Sequence, residues 1–195
     1  MNTRQAEAPR YLVMAVLALA SAPSLTRAAE EQVPLVFSGG HEISEQDFGR
    51  PVYLIAAGLG VKPEQFRKAF SGVTPAKGRR PTRDEERKNK EALMKVLRPL
   101  GVTNERLDEV ADYYRFRPQE GELWPTKPAK GYAVVDGGTV KELVITDPGS
   151  GYNIPPDVTI KGVKGVRLSA TLSFGKDLAK NGGVVAVERV RKEAK

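Results

Sequence analysis

From Tyr132 to Thr146 the chain reads YAVVDGGTVKELVIT. Two runs rich in valine and other strand-favouring residues flank Asp136-Gly137-Gly138. Glycine takes the positive φ of a tight hairpin turn at no steric cost, so this stretch predicts two antiparallel strands joined there. Downstream, Asp147-Pro148-Gly149-Ser150-Gly151 is a dense turn cluster, and Pro155-Pro156 leads into a strand over Val158 to Lys161. Two more strands are expected over Val166 to Phe174 and Val184 to Arg191. Residues 131–195 thus read as a small antiparallel β-module. A unit of this size is marginal alone, so it is expected to pack on the helices or to pair an open edge.

Upstream the punctuation changes. Pro118, Pro125 and Pro128, with Gly121 and Gly131, mark residues 118–130 as a connector. Before it, residues 51–117 carry helical signals. Pro51 opens a first helix through Val52 to Ala57, with a stop expected near Gly58 and Gly60. Pro63 opens a second, with Phe66, Ala69 and Phe70 on one face and Ser71-Gly72 after it. A basic loop, Thr74 to Pro81, separates these from a third helix with a capping box at Thr82 and Glu85. In that helix Leu93, Val96, Leu97 and Leu100 recur at helical spacing, Pro99 distorts the last turn and Gly101 is the stop. A fourth starts at Thr103, with Leu107, Val110, Ala111 and Tyr114 on one face. The expected class is α+β, a small N-terminal helical bundle followed by a C-terminal antiparallel β-module. Residues 29–50 form an extended lead-in whose apolar patch, Val33 to Phe37, reads as a strand or a docking segment.

The first 28 residues read as a cleavable signal peptide. Arg4 and Arg10 make the start positive, and Tyr11 to Ala22 is an apolar run shorter than the roughly 20 residues a membrane span needs. Thr26-Arg27-Ala28 places small residues three and one before a cut after Ala28. Localisation is accordingly expected to be exported: periplasmic, surface-associated or secreted. The remaining chain has 28 basic and 23 acidic residues, a net charge of +5 that favours weak attraction to acidic surfaces. There is no cysteine, which excludes disulfides, a thiol nucleophile and Cys-ligated zinc.

Candidate chemistry is sparse. His41 is the single histidine, next to Glu42 and near Glu45 and Asp47. A general base with carboxylate partners would use His41, Glu42 and Asp47, whereas one histidine cannot build a two-histidine zinc site, so no metal is expected. Gly149-Ser150-Gly151 lies between strands and not on the strand-to-helix elbow of a serine hydrolase. The run Lys77 to Lys90 is basic but interleaved with Asp84, Glu85 and Glu86, which argues for a solvated helix face and against nucleic acid. Aromatic residues gather around the connector: Tyr113, Tyr114, Phe116, Trp124 and Tyr132, with Tyr152 later. Rigid aromatics suit contact with protein or sugar, making Tyr113, Tyr114, Trp124 and Tyr152 the candidate binding residues. They equally suit a clamp of the connector onto the last helix and first strand.

Thr146-Asp147-Pro148-Gly149-Ser150-Gly151-Tyr152, followed by Pro155-Pro156 and Val158-Thr159-Ile160, resembles a glycine-serine-glycine-tyrosine β-repeat of phage virion and bacterial surface proteins. The resemblance spans roughly Tyr132 to Ser173, the motif occurs once, and it implies a structural or interaction module. The whole chain also resembles a family of uncharacterised exported bacterial proteins. The residues that carry this are Gly40-His41-Glu42, Gly49-Arg50-Pro51, Phe70-Ser71-Gly72-Val73-Thr74-Pro75, and Gly101-Val102-Thr103-Asn104 through Tyr113-Tyr114. No activity comes with that resemblance. The expectation is a non-enzymatic exported protein without a cofactor, serving a structural or binding role towards an envelope or extracellular protein or polysaccharide. The alternative is a hydrolase using His41 and nearby carboxylates.

Overall fold

A computed structural model describes residues 30–74 and 81–190. The expected signal peptide and most of the basic loop before the third helix lie outside the described residues. The chain is mixed α+β. In order it forms β1 (Glu31–Ser38), α1 (Val52–Leu59), α2 (Pro63–Phe70), α3 (Arg83–Leu97) and α4 (Asn104–Tyr113). Then come β2 (Lys130–Asp136), β3 (Thr139–Asp147), β4 (Asp157–Ile160), β5 (Leu168–Ser173) and β6 (Gly183–Arg189). Among the described residues no helix is long and apolar enough to cross a membrane.

Local chemistry sets the helix ends. Glu85 N–H donates to Thr82 Oγ1 while Thr82 N–H donates to Glu85 Oε2, closing the capping box of α3. Pro99 cannot continue the α-helix, so the chain tightens into a 3-10 turn at Arg98–Leu100 and leaves through Gly101 at φ 87°. Of the two glycines expected near the stop of α1, Gly60 ends it at φ 75° while the helix runs through Gly58 to Leu59. The reason for Gly58 is spacing. A Cβ there would sit 2.9 Å from Leu178 Cδ2 and 3.2 Å from Val110 Cγ1, so its absence lets α1 close onto α4. The four helices share one core that includes Leu54, Leu97, Val110 and Tyr114, with Trp124 and Leu178 from outside the helices.

The hairpin forms as read, with β2 antiparallel to β3 and Asp136 opposite Thr139. The sheet, however, is not confined to residues 131–195. β1 from the lead-in completes it, giving the order β3-β2-β1-β4. The first half of β1 pairs with β2 (Val33 opposite Ala133) and its second half with β4 (Phe37 opposite Val158). β5 and β6 form a separate ladder that packs on β4 and β3, curling the whole into a half-barrel. Leu35, Ala133, Val140, Val158, Ala170 and Val184 fill it, at least one from each strand. The reason β1 lies there is apolar patterning along a strand with partners on both edges. No local signal in residues 29–50 names those partners.

Candidate functional site

Two aromatic regions compete for the role of site. The first is the seam between the helical core and the half-barrel. Trp124 is 2% exposed and its indole N–H donates to the Gly151 carbonyl at 2.8 Å. Tyr152 is buried and its hydroxyl accepts from the Ala129 amide at 2.9 Å. Gly151 N–H donates to Asn181 O, and Tyr152 N–H to Gly182 O. The glycine-serine-glycine-tyrosine turn is therefore a knot that ties the connector to the β5–β6 loop. Asn181, also buried, donates from Nδ2 to Leu54 O at 2.8 Å and to the Tyr114 hydroxyl at 2.9 Å, and its Oδ1 accepts from Gly175 N–H. Burial pushes the Tyr114 phenol up to about 12.

His41 lies against this seam, 5.2 Å from the Tyr152 ring and 6.0 Å from Trp124 between centroids. Gly40 permits the approach. It has φ 87°, and a Cβ on it would come within 2.6 Å of Tyr152 Cδ1. Burial holds the His41 imidazole below its ordinary pKa, against the opposing pull of Glu42 and the Gly39 backbone. The proposed acid-base set is not assembled. The Glu42 carboxylate accepts from Gly40 N–H at 2.7 Å, while the buried Asp47 carboxylate is engaged bidentately by Arg67 at 2.7 and 3.1 Å. Among the described residues no three His, Asp or Glu side chains converge on a metal-sized point. Of the four candidate binding residues, Trp124 and Tyr152 are consumed by the seam, Tyr114 lends only an edge to the surface, and Tyr113 is half-buried. Trp124, Tyr152 and Tyr114 act as a clamp, their polar tips paired and their rings buried, while Tyr113 stays half-buried beside Tyr114.

The second region was missed by this reasoning. Between Ser44 and Pro51 the chain makes a 3-10 turn at Glu45–Asp47, then Phe48 at φ 49° and Gly49 at φ 75°. A left-handed phenylalanine is costly, roughly 1–3 kcal/mol, and persists only where its surroundings hold it. Here Asp47 is anchored by Arg67 on one side, and on the other Arg50 Nη1 donates to Phe48 O at 2.9 Å. The Phe48 ring is left 76% exposed.

Beside it Arg50 is half-buried, its guanidinium carbon 3.7 Å from the centroid of the Phe70 ring. Among the described residues no carboxylate pairs with it, and burial pulls it below its ordinary pKa for want of one. Two hollows open on either side of this stack. One, about 360 Å³, is lined by Asp47, Val52, Phe66, Arg67, Ser71 and Val73 among others. The other, about 390 Å³, is lined by Ile55, Leu93, Leu107, Ala111, Tyr114 and Phe116 among others, with Arg115 at its side. Phe48, Arg50, Phe66 and Phe70 belong to both. Ala111, expected on the core face of α4, is exposed and forms part of this wall. The signal that points here is in the sequence, since Gly49-Arg50-Pro51, Phe70-Ser71-Gly72-Val73 and Tyr113-Tyr114 all meet at these hollows or beside them. No family model, curated protein or solved structure matches the chain.

Proposed function

We propose that the chain is an exported, non-enzymatic binding protein acting in the envelope or extracellular space, and that its ligand occupies the hollows beside Arg50. The leader-like first 28 residues support export. The observation that carries the binding role is Arg50: a half-buried guanidinium stacked on Phe70, with no carboxylate partner among the described residues. Desolvating a charge without pairing it costs stability, and such costs gather where a ligand completes the pairing. Hollows of a few hundred ångströms cubed with apolar walls and few polar groups are the common form of a small-ligand site.

The test is amide NMR of the purified chain against a library of small fragments. Shifts clustered at Phe48, Arg50, Ser71 and Ala111 are expected. Filling either hollow from its rim, by Ala111→Trp or by Ser71→Trp, is expected to remove the hits that occupy it while leaving the melting temperature within a few degrees. A library that shifts only residues elsewhere, or none, would end this reading.

A further inference from the structure

Resting on that reading, we infer that the ligand is a small amphipathic carboxylate, its carboxylate on the edge of Arg50 and its apolar body in the hollow lined by Ile55, Leu107, Ala111, Tyr114 and Phe116. Three features of the geometry lead there. First, the Arg50 guanidinium carbon sits 3.7 Å from the centroid of the Phe70 ring, which covers one side of the group and leaves its N–H donors to be met elsewhere. One of them meets Phe48 O; the others find no acceptor among the described residues. A planar fork with free donors matches a carboxylate, which accepts two parallel N–H bonds. Second, the two hollows differ in charge. In the smaller one the second guanidinium, Arg67, is already spent on the buried Asp47 carboxylate, which leaves Arg50 alone to meet an anion. The larger has Arg50 and Arg115 in its lining and no acidic side chain. Arg115 is held only by an exposed ion pair to Asp112, of the kind worth little, so it is free to turn to an anion. Third, the rest of the larger hollow is aliphatic and aromatic, which rewards an apolar body and gives nothing to a second charge.

The probes are N-acetyl-L-phenylalanine and its carboxamide, equal in shape and different in charge, followed by amide NMR and calorimetry with the purified chain. The acid is expected to bind at least about tenfold more tightly than the amide. Arg50→Gln, which keeps hydrogen-bond donors without the charge, is expected to erase that preference. Arg50→Lys, which keeps the charge without the fork, is expected to retain only part of it. Ala111→Trp is expected to abolish binding of both probes, and thermal melts identify any variant that fails to fold. Equal binding of acid and amide at the hollows would overturn the carboxylate inference while leaving the binding role intact. Loss of binding with Val73→Trp and not with Ala111→Trp would place the body beside Asp47 and overturn it too. If neither probe nor any library fragment reaches the hollows, the binding role falls with it.

Discussion

The seam and the Arg50 hollows are built from the same kinds of residue and put to opposite use. In the seam, Trp124, Tyr114, Tyr152 and Asn181 are buried with their polar tips paired, and Asn153 Oδ1 is the buried side-chain atom without a partner among the described residues. In the hollows, Phe48 is exposed on a left-handed backbone and Arg50 is partly buried without a counter-charge among the described residues. Apart from Asn153 Oδ1, the seam resolves its buried side-chain polar groups internally; the hollows leave the Arg50 donors to an outside partner. Aromatic richness alone therefore does not mark a binding surface. What separates the two is whether the hydrogen-bonding groups among the rings are already satisfied.

The contrast is most easily broken at Asn181. Asn181→Ala removes three bonds at once, those to Leu54 O and the Tyr114 hydroxyl inside the protein and that to Gly175 N–H nearer the surface. A loss of about 3–4 kcal/mol in urea unfolding is expected, with the slope unchanged. A loss under about 1 kcal/mol would mean that the seam is not the sealed unit described here.

A smaller effect probes how dry the seam is. Because burial holds the His41 pKa below 6.5, the unfolded chain binds the proton first as pH falls. The contribution of His41 is thus complete above 6.5 and lost on acidification through the folded-state value. Unfolding midpoints at neutral and mildly acidic pH are expected to diverge more for the native chain than for His41→Phe. Equal divergence would place His41 in open water.

The smallest effect is expected at Arg50. Arg50→Met gives up the stacking of a cation on Phe70 but also the burial of a charge, so stability is expected to change by no more than about 1 kcal/mol. A large loss would make Arg50 a structural residue and bring the two regions back together.

Much of the fold was legible because its signals are local. Thr82 with Glu85, Pro99 with Gly101, and Asp136-Gly137-Gly138 each decide a boundary within a few residues, and the structure places the boundaries there. The lead-in was legible as a strand or a docking segment but not as a member of this sheet, because its register is fixed by partners far along the chain. The same distance hid the site. That Asp47 turns to Arg67 and not to Arg50 is a fact of three dimensions, invisible in the run from Asp47 to Arg50. The division of labour between Gly58 and Gly60 was hidden for a related reason: a glycine that stops a helix and one that lets another helix approach look alike in sequence.

The divided pairing of β1 has a temporal consequence. Glu31 to Ser38 leaves the ribosome early, whereas the strands that flank it, β2 and β4, follow roughly 100 residues later. At about 5–20 residues per second, that interval is roughly 5–20 s. During it the helices have short-range partners, but β1 has neither neighbour. β1 is therefore obliged to stay unpaired until β2 and then β4 have been made. A half-barrel closed by its first strand is completed last where it began.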